Sequence, residues 1–365
     1  MIYLSKPKIS GNELKYVTDC INTGWVSSAG KYVDLFEEKF SNCIDVKYAI
    51  STINGTAAIH TALKILEISK GDEIIVPTLT FVATVNPVIY VNATPVFVDS
   101  ENESWNLDPK KIEEKINKKT KAIICVHLYG HPANMDPIVK IARKYDLKVI
   151  EDATEALGSK YKGINVGRFG DLACFSFNGN KIITCGGGGM IVTDNKEYAE
   201  KAKFLTTQAR SSTIEYFHPE VGFNYRLTNV QAAIGLAQLE LLDQYIAKKR
   251  KSAAYYSELL AEIEGITTCK EQKWAFNNYW MYSILIDKKR YGMSKDELLN
   301  IFGKNEIQAR PFFIPNHTLP PYLKYKSDNI FVANKLYARG LNIPNSVGIQ
   351  IEEIEKVVKI IKKKK

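Results

Sequence analysis

The stretch Phe175-Ser176-Phe177-Asn178-Gly179-Asn180-Lys181-Ile182-Ile183-Thr184-Cys185-Gly186-Gly187-Gly188-Gly189-Met190-Ile191-Val192-Thr193 decides how this chain is read. An apolar run from Ala173 to Phe177 precedes the lysine, and a second from Met190 to Thr193 follows four glycines; both have the composition of strands. A glycine fingerprint for a dinucleotide would open a helix after a first strand, whereas this run leads into another strand. What the pattern offers instead is a lysine at a place where the backbone can approach a flat cofactor closely. Taken alone, Lys181 reads better as one surface lysine among 49 basic side chains, placed before a flexible loop. Its weight comes from what surrounds it.

Outward from this stretch, from about Tyr48 to Asp194, short β-branched runs alternate with segments of helical period, the mark of an α/β fold with a mostly parallel sheet and helices on both faces. Strands are expected at Glu73–Pro77, Pro95–Asp99, Lys121–Val126 and Leu147–Glu151, besides the two already named. Helices are expected at Ala57–Leu66, Pro109–Lys118 and Pro137–Tyr145, with Asp108-Pro109 in the cap-then-proline form of a helix start. One long helix is read from Asn229 to about Leu260, leaving a large domain of residues 1–245 for a smaller α+β domain of residues 246–365. The N-terminal segment is free to pack on the small domain. That domain carries a strand at Trp280–Ile286, a helix near Lys295–Phe302, a short strand at Ile307–Ala309 and helices to the C-terminus.

Three further segments carry chemistry. In Val149-Ile150-Glu151-Asp152-Ala153-Thr154-Glu155, Asp152 ends an expected buried strand, the place where parallel sheets put ligands. A buried carboxylate there needs a cationic or hydrogen-bonding partner, and a protonated pyridine nitrogen would serve. Asp152 reads as often as a helix cap, and Glu155 either hydrogen-bonds near a cofactor oxygen or is a first-turn acid on a helix dipole. In Ser51-Thr52-Ile53-Asn54-Gly55-Thr56-Ala57, a glycine-threonine turn before a helix suits a phosphate, with Thr56 as a plain N-cap the alternative. In Pro77-Thr78-Leu79-Thr80-Phe81, Phe81 sits just past a strand end, where it stacks on a flat ring or belongs to the core.

Composition excludes other classes. With 365 residues and 45% hydrophobic content the chain can bury a sizeable core. No apolar run is long and charge-free enough to span a bilayer, so membrane insertion is not expected. Met1 to Lys6 lacks the pattern of a signal peptide, which points to the cytoplasm. The six cysteines are scattered without C-x-x-C or zinc spacing, so no metal and reduced thiols are expected. The formal charge of +9 is diffuse, its one dense run Lys362 to Lys365 reading as a solvated end. No helix-turn-helix, zinc or RNA-binding signature supports nucleic acid as a partner.

Together these four segments, in this order, resemble the sugar aminotransferases of the DegT/DnrJ/EryC1/StrS family, of the aspartate-aminotransferase fold type (fold type I), from Ser10 nearly to the C-terminus. The resemblance implies pyridoxal 5'-phosphate as cofactor, Lys181 as the Schiff-base lysine, Asp152 as partner of the pyridine nitrogen and Phe81 as the stacking ring. It also implies Gly55, Thr56 and Ser176 as phosphate contacts and Glu155 close to the cofactor. The family's usual Thr-Gly-Glu-Gly-Gly is Cys185-Gly186-Gly187-Gly188-Gly189 here, so the loop lacks the family's glutamate. By the same resemblance, Asn224 and Arg226 reach the cofactor phosphate of the other subunit in a homodimer with shared active sites.

The reaction so implied passes an amino group from L-glutamate to C4 of a nucleotide-linked keto-sugar. The stretches Gly24–Ser28, Asn178–Lys181, the glycine run Gly186–Gly189 and Leu205–Arg210 look most like the branch that aminates UDP-4-keto-6-deoxy-N-acetylglucosamine, with GDP-perosamine synthases the nearest competitors. The diphosphate calls for basic residues at the site mouth, for which Arg210, Arg310 and His317 are candidates, with Trp25 a candidate wall of the sugar pocket. Each also has an ordinary structural reading. The family's dehydratases carry histidine in place of the lysine, and Lys181 argues against them.

Overall fold

Alternation along the central strands divides their side chains between two cores, the period of two that a sheet covered on both faces requires. Ile74 and Val76, Ala122 and Ile124, and Ile150 enter the larger core; Ile75, Ile123, Cys125 and Val149 enter one on the opposite face. The computed structural model describes residues 1–212, 214–325 and 328–363. In chain order its strands are β1 (Tyr48–Thr52), β2 (Glu73–Pro77), β3 (Thr94–Val98), β4 (Thr120–Val126), β5 (Lys148–Asp152), β6 (Lys160–Tyr161), β7 (Ile164–Asn165), β8 (Leu172–Ser176), β9 (Gly189–Thr193), β10 (Ile266–Thr268), β11 (Ala275–Phe276), β12 (Tyr282–Ile286), β13 (Arg310–Pro311) and β14 (Gly340–Ile343). Its helices are α1 (Glu13–Thr23), α2 (Lys31–Ile44), α3 (Gly55–Ile65), α4 (Asn86–Tyr90), α5 (Met135–Lys144), α6 (Lys196–Thr206), α7 (Asn229–Leu239), α8 (Leu242–Leu260), α9 (Lys288–Tyr291), α10 (Lys295–Lys304), α11 (Val332–Arg339) and α12 (Ile351–Lys362).

The seven-stranded sheet runs β1-β9-β8-β5-β4-β2-β3. From β3 to β8 the pairs are parallel, while β9 is antiparallel to both β8 and β1. The carboxyl ends of β2, β5 and β8 therefore lie on one edge of the sheet, and α3 begins just after β1. A second sheet, β10-β12-β14-β13, is antiparallel and shares a separate core with α8, α10 and α12. Ile2 enters that core and bridges Ile307, while Leu4 and Tyr3 bond to Asn345 and Ser346. The chain's first residues are thereby strapped across it.

Three expectations give way. The segment Pro109–Lys118 forms two 3-10 turns, Pro109–Lys111 and Glu113–Lys115, rather than a helix. Ile112 and Ile116 are its only apolar anchors in a run of charged residues, too little buried face to sustain a helix. Asp108 still caps the first turn by accepting from Lys110 N–H at 3.0 Å. The long helix from Asn229 breaks at Glu240–Leu241, because Glu240 is tied to Asn12 and Tyr16 at 2.7 and 2.6 Å. Its first half follows α1 and α2, its second α12 and β10. Ile307 makes only a bridge; the strand is Arg310–Pro311, paired with β14, which interrupts the helices expected up to the C-terminus. Lys362 and Lys363 are exposed, and Lys364 and Lys365 lie outside the described residues.

Candidate active site

Lys181 owes its position to a loop closed at its neck. Phe177 N–H donates to Gly188 O at 2.8 Å, and Phe177 O accepts from Cys185 N–H at 2.9 Å and Thr184 Oγ1 at 3.1 Å. The buried Phe177 ring anchors the neck, 5.1 Å from Phe36 and 5.4 Å from Phe40. Gly188 takes φ of +146°, a conformation that disfavours side chains. A Cβ on Gly189 would lie 2.6 Å from the Asn54 carbonyl, so this glycine serves the close packing of β9 against the start of α3.

The loop borders a cavity of about 240 Å³ at the carboxyl edge of the sheet. Lys181, Asp152, Glu155, Ser176, Phe81, Thr56 and Gly55, seven of the residues singled out from sequence, all line it. Asp152, at the end of β5, is buried in a nest of hydroxyls. Its Oδ2 accepts from Thr84 Oγ1 at 2.6 Å, and its Oδ1 from Thr154 Oγ1 at 2.7 Å. Thr84 is held in turn by Thr80 at 2.8 Å. No helix follows Asp152; residues 153–158 run in turns, so the cap and helix-dipole readings of Asp152 and Glu155 lapse.

Glu155 accepts from Tyr129 N–H at 2.7 Å. Burial pushes its carboxyl up from the ordinary range, against the pull of the Lys181 charge. Burial likewise pushes the Lys181 amine down, opposed by Glu155 and Asp152. The two shifts bring a proton donor and acceptor toward each other in strength, which suits a group that must take and give a proton near neutrality. At α3, the N-cap is Asn54 rather than Thr56, its side chain accepting from Ala57 N–H at 2.8 Å. The first-turn N–H groups of Gly55 and Thr56 are left for an anion at the positive helix end. A Cβ on Gly55 would meet Thr154 Cγ2 at 2.9 Å and Ser176 Cβ at 3.0 Å, so only glycine lets the helix start sit this close to Ser176.

The remaining candidates do not line this cavity. Trp25 is 59% exposed beside Lys31 and Asn229, whose Nδ2 donates to the Trp25 carbonyl at 2.6 Å. It is neither core nor a wall of this pocket. Arg210 lies over the Tyr216 ring at 4.5 Å. Arg310 is exposed on the edge strand β13 and bonds Ala309 O at 3.1 Å. His317 Nδ1 is 2.7 Å from Thr78 Oγ1, and burial pushes its pKa down. Asn224 and Arg226 flank Tyr225, whose carbonyl accepts from Ile53 N–H at 2.7 Å, yet neither borders its own chain's cavity. Sequence reading missed Trp280 and Phe313, which do border it, and Thr84 and Thr154. Trp280 is 99 residues from the lysine it touches, and no spacing rule reaches that far.

Among the described residues no group of His, Cys, Asp and Glu could hold a metal ion, and no helix is long and apolar enough to cross a membrane. A model of the DegT/DnrJ/EryC1/StrS aminotransferase family matches residues 7–362. GDP-perosamine synthase of Escherichia coli O157:H7 is 46% identical over 350 residues, covering 96% of this chain and 94% of that protein. GDP-perosamine synthase of Caulobacter vibrioides is 42% identical, covering 98% and 96%. The structure of Helicobacter pylori PseC, an aminotransferase involved in pseudoaminic acid biosynthesis, superposes with a TM-score of 0.93 at 26% identity, covering 99% and 98%.

Proposed function

The chain belongs to the DegT/DnrJ/EryC1/StrS aminotransferase family and is a pyridoxal-phosphate-dependent sugar aminotransferase; from that premise we propose that it moves an amino group from L-glutamate to C4 of GDP-4-keto-6-deoxymannose, as a GDP-perosamine synthase does. The observation that carries the nucleotide is identity above 40%, over nearly the whole chain, to GDP-perosamine synthases of different bacteria. It moves the reading away from UDP-4-keto-6-deoxy-N-acetylglucosamine. The stretch Leu205–Arg210, which resembles that branch, answers to packing as much as to a sugar. In Leu205–Arg210, Gln208 and Ala209 take φ of +60° and +54°, and a Cβ on Gly222 would fall 2.2 Å from Ala209 N. Trp25 lines a separate surface pocket with Lys31 and Asn229.

The residues present fit the cofactor. Gly55 and Thr56 N–H groups with Ser176 Oγ would hold its phosphate, Asp152 its ring nitrogen and Phe81 a ring face, and Lys181 would be its covalent anchor. When bound, pyridoxal phosphate supplies an electron sink and a carbon that carries the amino group between donor and acceptor. The chain's own part is proton traffic: Lys181, once free, would take the proton from the donor's α-carbon and deliver it to the cofactor carbon that carries the amino group, with Glu155 as a carboxyl that burial keeps ready to exchange one. Thr84 and Thr154 orient Asp152 by filling its outer lone pairs.

The test supplies the purified protein with L-glutamate and either GDP-4-keto-6-deoxymannose or UDP-4-keto-6-deoxy-N-acetylglucosamine and follows the amino product by mass. The expected result is a higher kcat/KM for the GDP-sugar, on the order of 10²-fold or more for a site that hydrogen-bonds its own substrate's groups. Preference for the UDP-sugar would overturn the proposal.

A further inference from the structure

Three segments distant in sequence meet at the carbonyl of Asn180. Ser5 Oγ donates to it at 2.8 Å, and Trp280 Nε1–H donates to it at 2.7 Å. The next residue is Lys181, whose Nζ lies 3.9 Å from the centre of the Trp280 ring, well inside the range of a cation–π contact. Trp280 is 3% exposed and cannot drift. Its backbone N–H donates to Asn278 Oδ1 at 2.7 Å, and Asn278 Nδ2 donates to Leu157 O at 2.9 Å and Glu155 O at 3.1 Å. Gly130 makes room for this tie, since a Cβ there would fall 1.9 Å from Asn278 Oδ1. The main chain of Trp280 is thus tied to the same backbone that carries Glu155, and its indole to Asn180. Of the groups facing the amine, Asp152 and Glu155 attract it through space, but the described ion pairs include none between either carboxylate and Lys181.

We propose that Trp280 is a positioning residue of the amino-transfer reaction: its indole face seats the amino group of Lys181 whenever that group is free of the cofactor, while its N–H fixes the peptide bond from which the lysine springs. This rests on the assignment of Lys181 as covalent anchor. The need is physical. A freed amine in a half-buried site has lost its covalent restraint, and without a seat it would swing to Glu155 and pair there, out of the proton's path. A π-face attracts the ammonium without taking its proton, so the amine stays available once it is neutral.

The experiment uses the full-length enzyme loaded with pyridoxamine 5'-phosphate, where Lys181 is not covalently engaged. The rate of Lys181 acetylation by acetic anhydride is followed against pH by peptide mass spectrometry. Blocking of that acetylation when pyridoxal phosphate is loaded instead tests the anchor assignment separately. Global replacement of tryptophan by 5-fluoro- and then difluorotryptophan weakens the ring's attraction for a cation without changing its shape. The midpoint for Lys181 should fall stepwise, by about 0.3 to 1 pH unit in all. In Trp280→Phe, fluorination of the other tryptophans should leave the midpoint where it is, and kcat should fall more than the KM for glutamate. A midpoint indifferent to fluorine, or one that shifts equally in Trp280→Phe, would overturn the proposal; the isosteric fluorotryptophans keep the test valid should Trp280→Phe fold poorly.

Discussion

Lys181 and Lys249 are both drawn below the ordinary lysine range by burial, but only Lys181 faces carboxylates. Replacement of Lys181 by alanine removes the proposed anchor and proton carrier together. Turnover should fall on the order of 10³-fold or more, and the visible absorption band of the cofactor-loaded enzyme should disappear in a spectrum of the purified variant. Lys249, on α8, is 1% exposed, its amine bonded to Asn345 O, and burial lowers its pKa to about 7. Its folded-state pKa lies below the unfolded one, so the folded chain holds fewer protons and is destabilised as pH falls between the two values. The full penalty is reached below about 7 and vanishes above the unfolded pKa. Lys249→Met should therefore be stabilised relative to the parent by an amount that grows, up to a few kcal/mol, as pH is lowered from about 10 to 7 and is then flat. Denaturant midpoints across that range check it; a pH-independent difference would contradict the assignment of a buried amine whose charge burial disfavours.

At the scale of elements, α3 is the part whose start is given over to binding. Asn54 satisfies one orphan N–H and leaves two for an anion. Asn54→Ala should cost about 1 kcal/mol of stability, the ordinary loss of a cap, read from urea unfolding. Gly55→Ala should act differently. Its methyl would press on Thr154 and Ser176 and push the helix start off the anion position, weakening cofactor binding roughly tenfold, the loss of about one hydrogen bond. Equilibrium dialysis with pyridoxal phosphate measures this, and unchanged retention in a folded variant would take α3 out of the phosphate site. The β8–β9 connection is the second such element: its glycines are needed by the strand turn and the packing on Asn54, so their presence alone could not have signalled a cofactor.

For the whole molecule, the question is what lies opposite the loop of residues 214–221, where Ile214, Tyr216, Phe217 and Val221 are exposed. Asn224 and Arg226 close that loop without bordering their own cavity. We propose a homodimer in which they serve the partner's site. Mixing Lys181→Ala with Asn224→Ala/Arg226→Ala subunits would then build one intact and one doubly damaged site per mixed dimer. With random exchange, activity should return to about a quarter of wild type from two inactive parents, by the symmetry of an isologous pair. Failure to recover in a preparation containing mixed dimers would mean that each chain completes its own site.

The sequence by itself determined the alternation of strands and helices, the strand ends and the order of the lysine, aspartate, phenylalanine and glycine-threonine segments, because period, turn residues and strand termini are local properties of the chain. That sufficed to gather seven residues into one cavity. Asp152 was legible as a strand end, but the partners of its neighbour Glu151 were not: pairing of β5 sends that side chain to His127 and the N–H groups of Gly167, Phe169 and Gly170. Nor could the sequence show that Trp25, Arg310 and His317 do not line the cavity, that the long helix breaks at Glu240, or that Ser5 and Trp280 meet at the carbonyl beside Lys181. Those are outcomes of packing between segments far apart in the chain, where the contact depends on the whole arrangement of sheets and cores and leaves no periodic trace in the residues that make it.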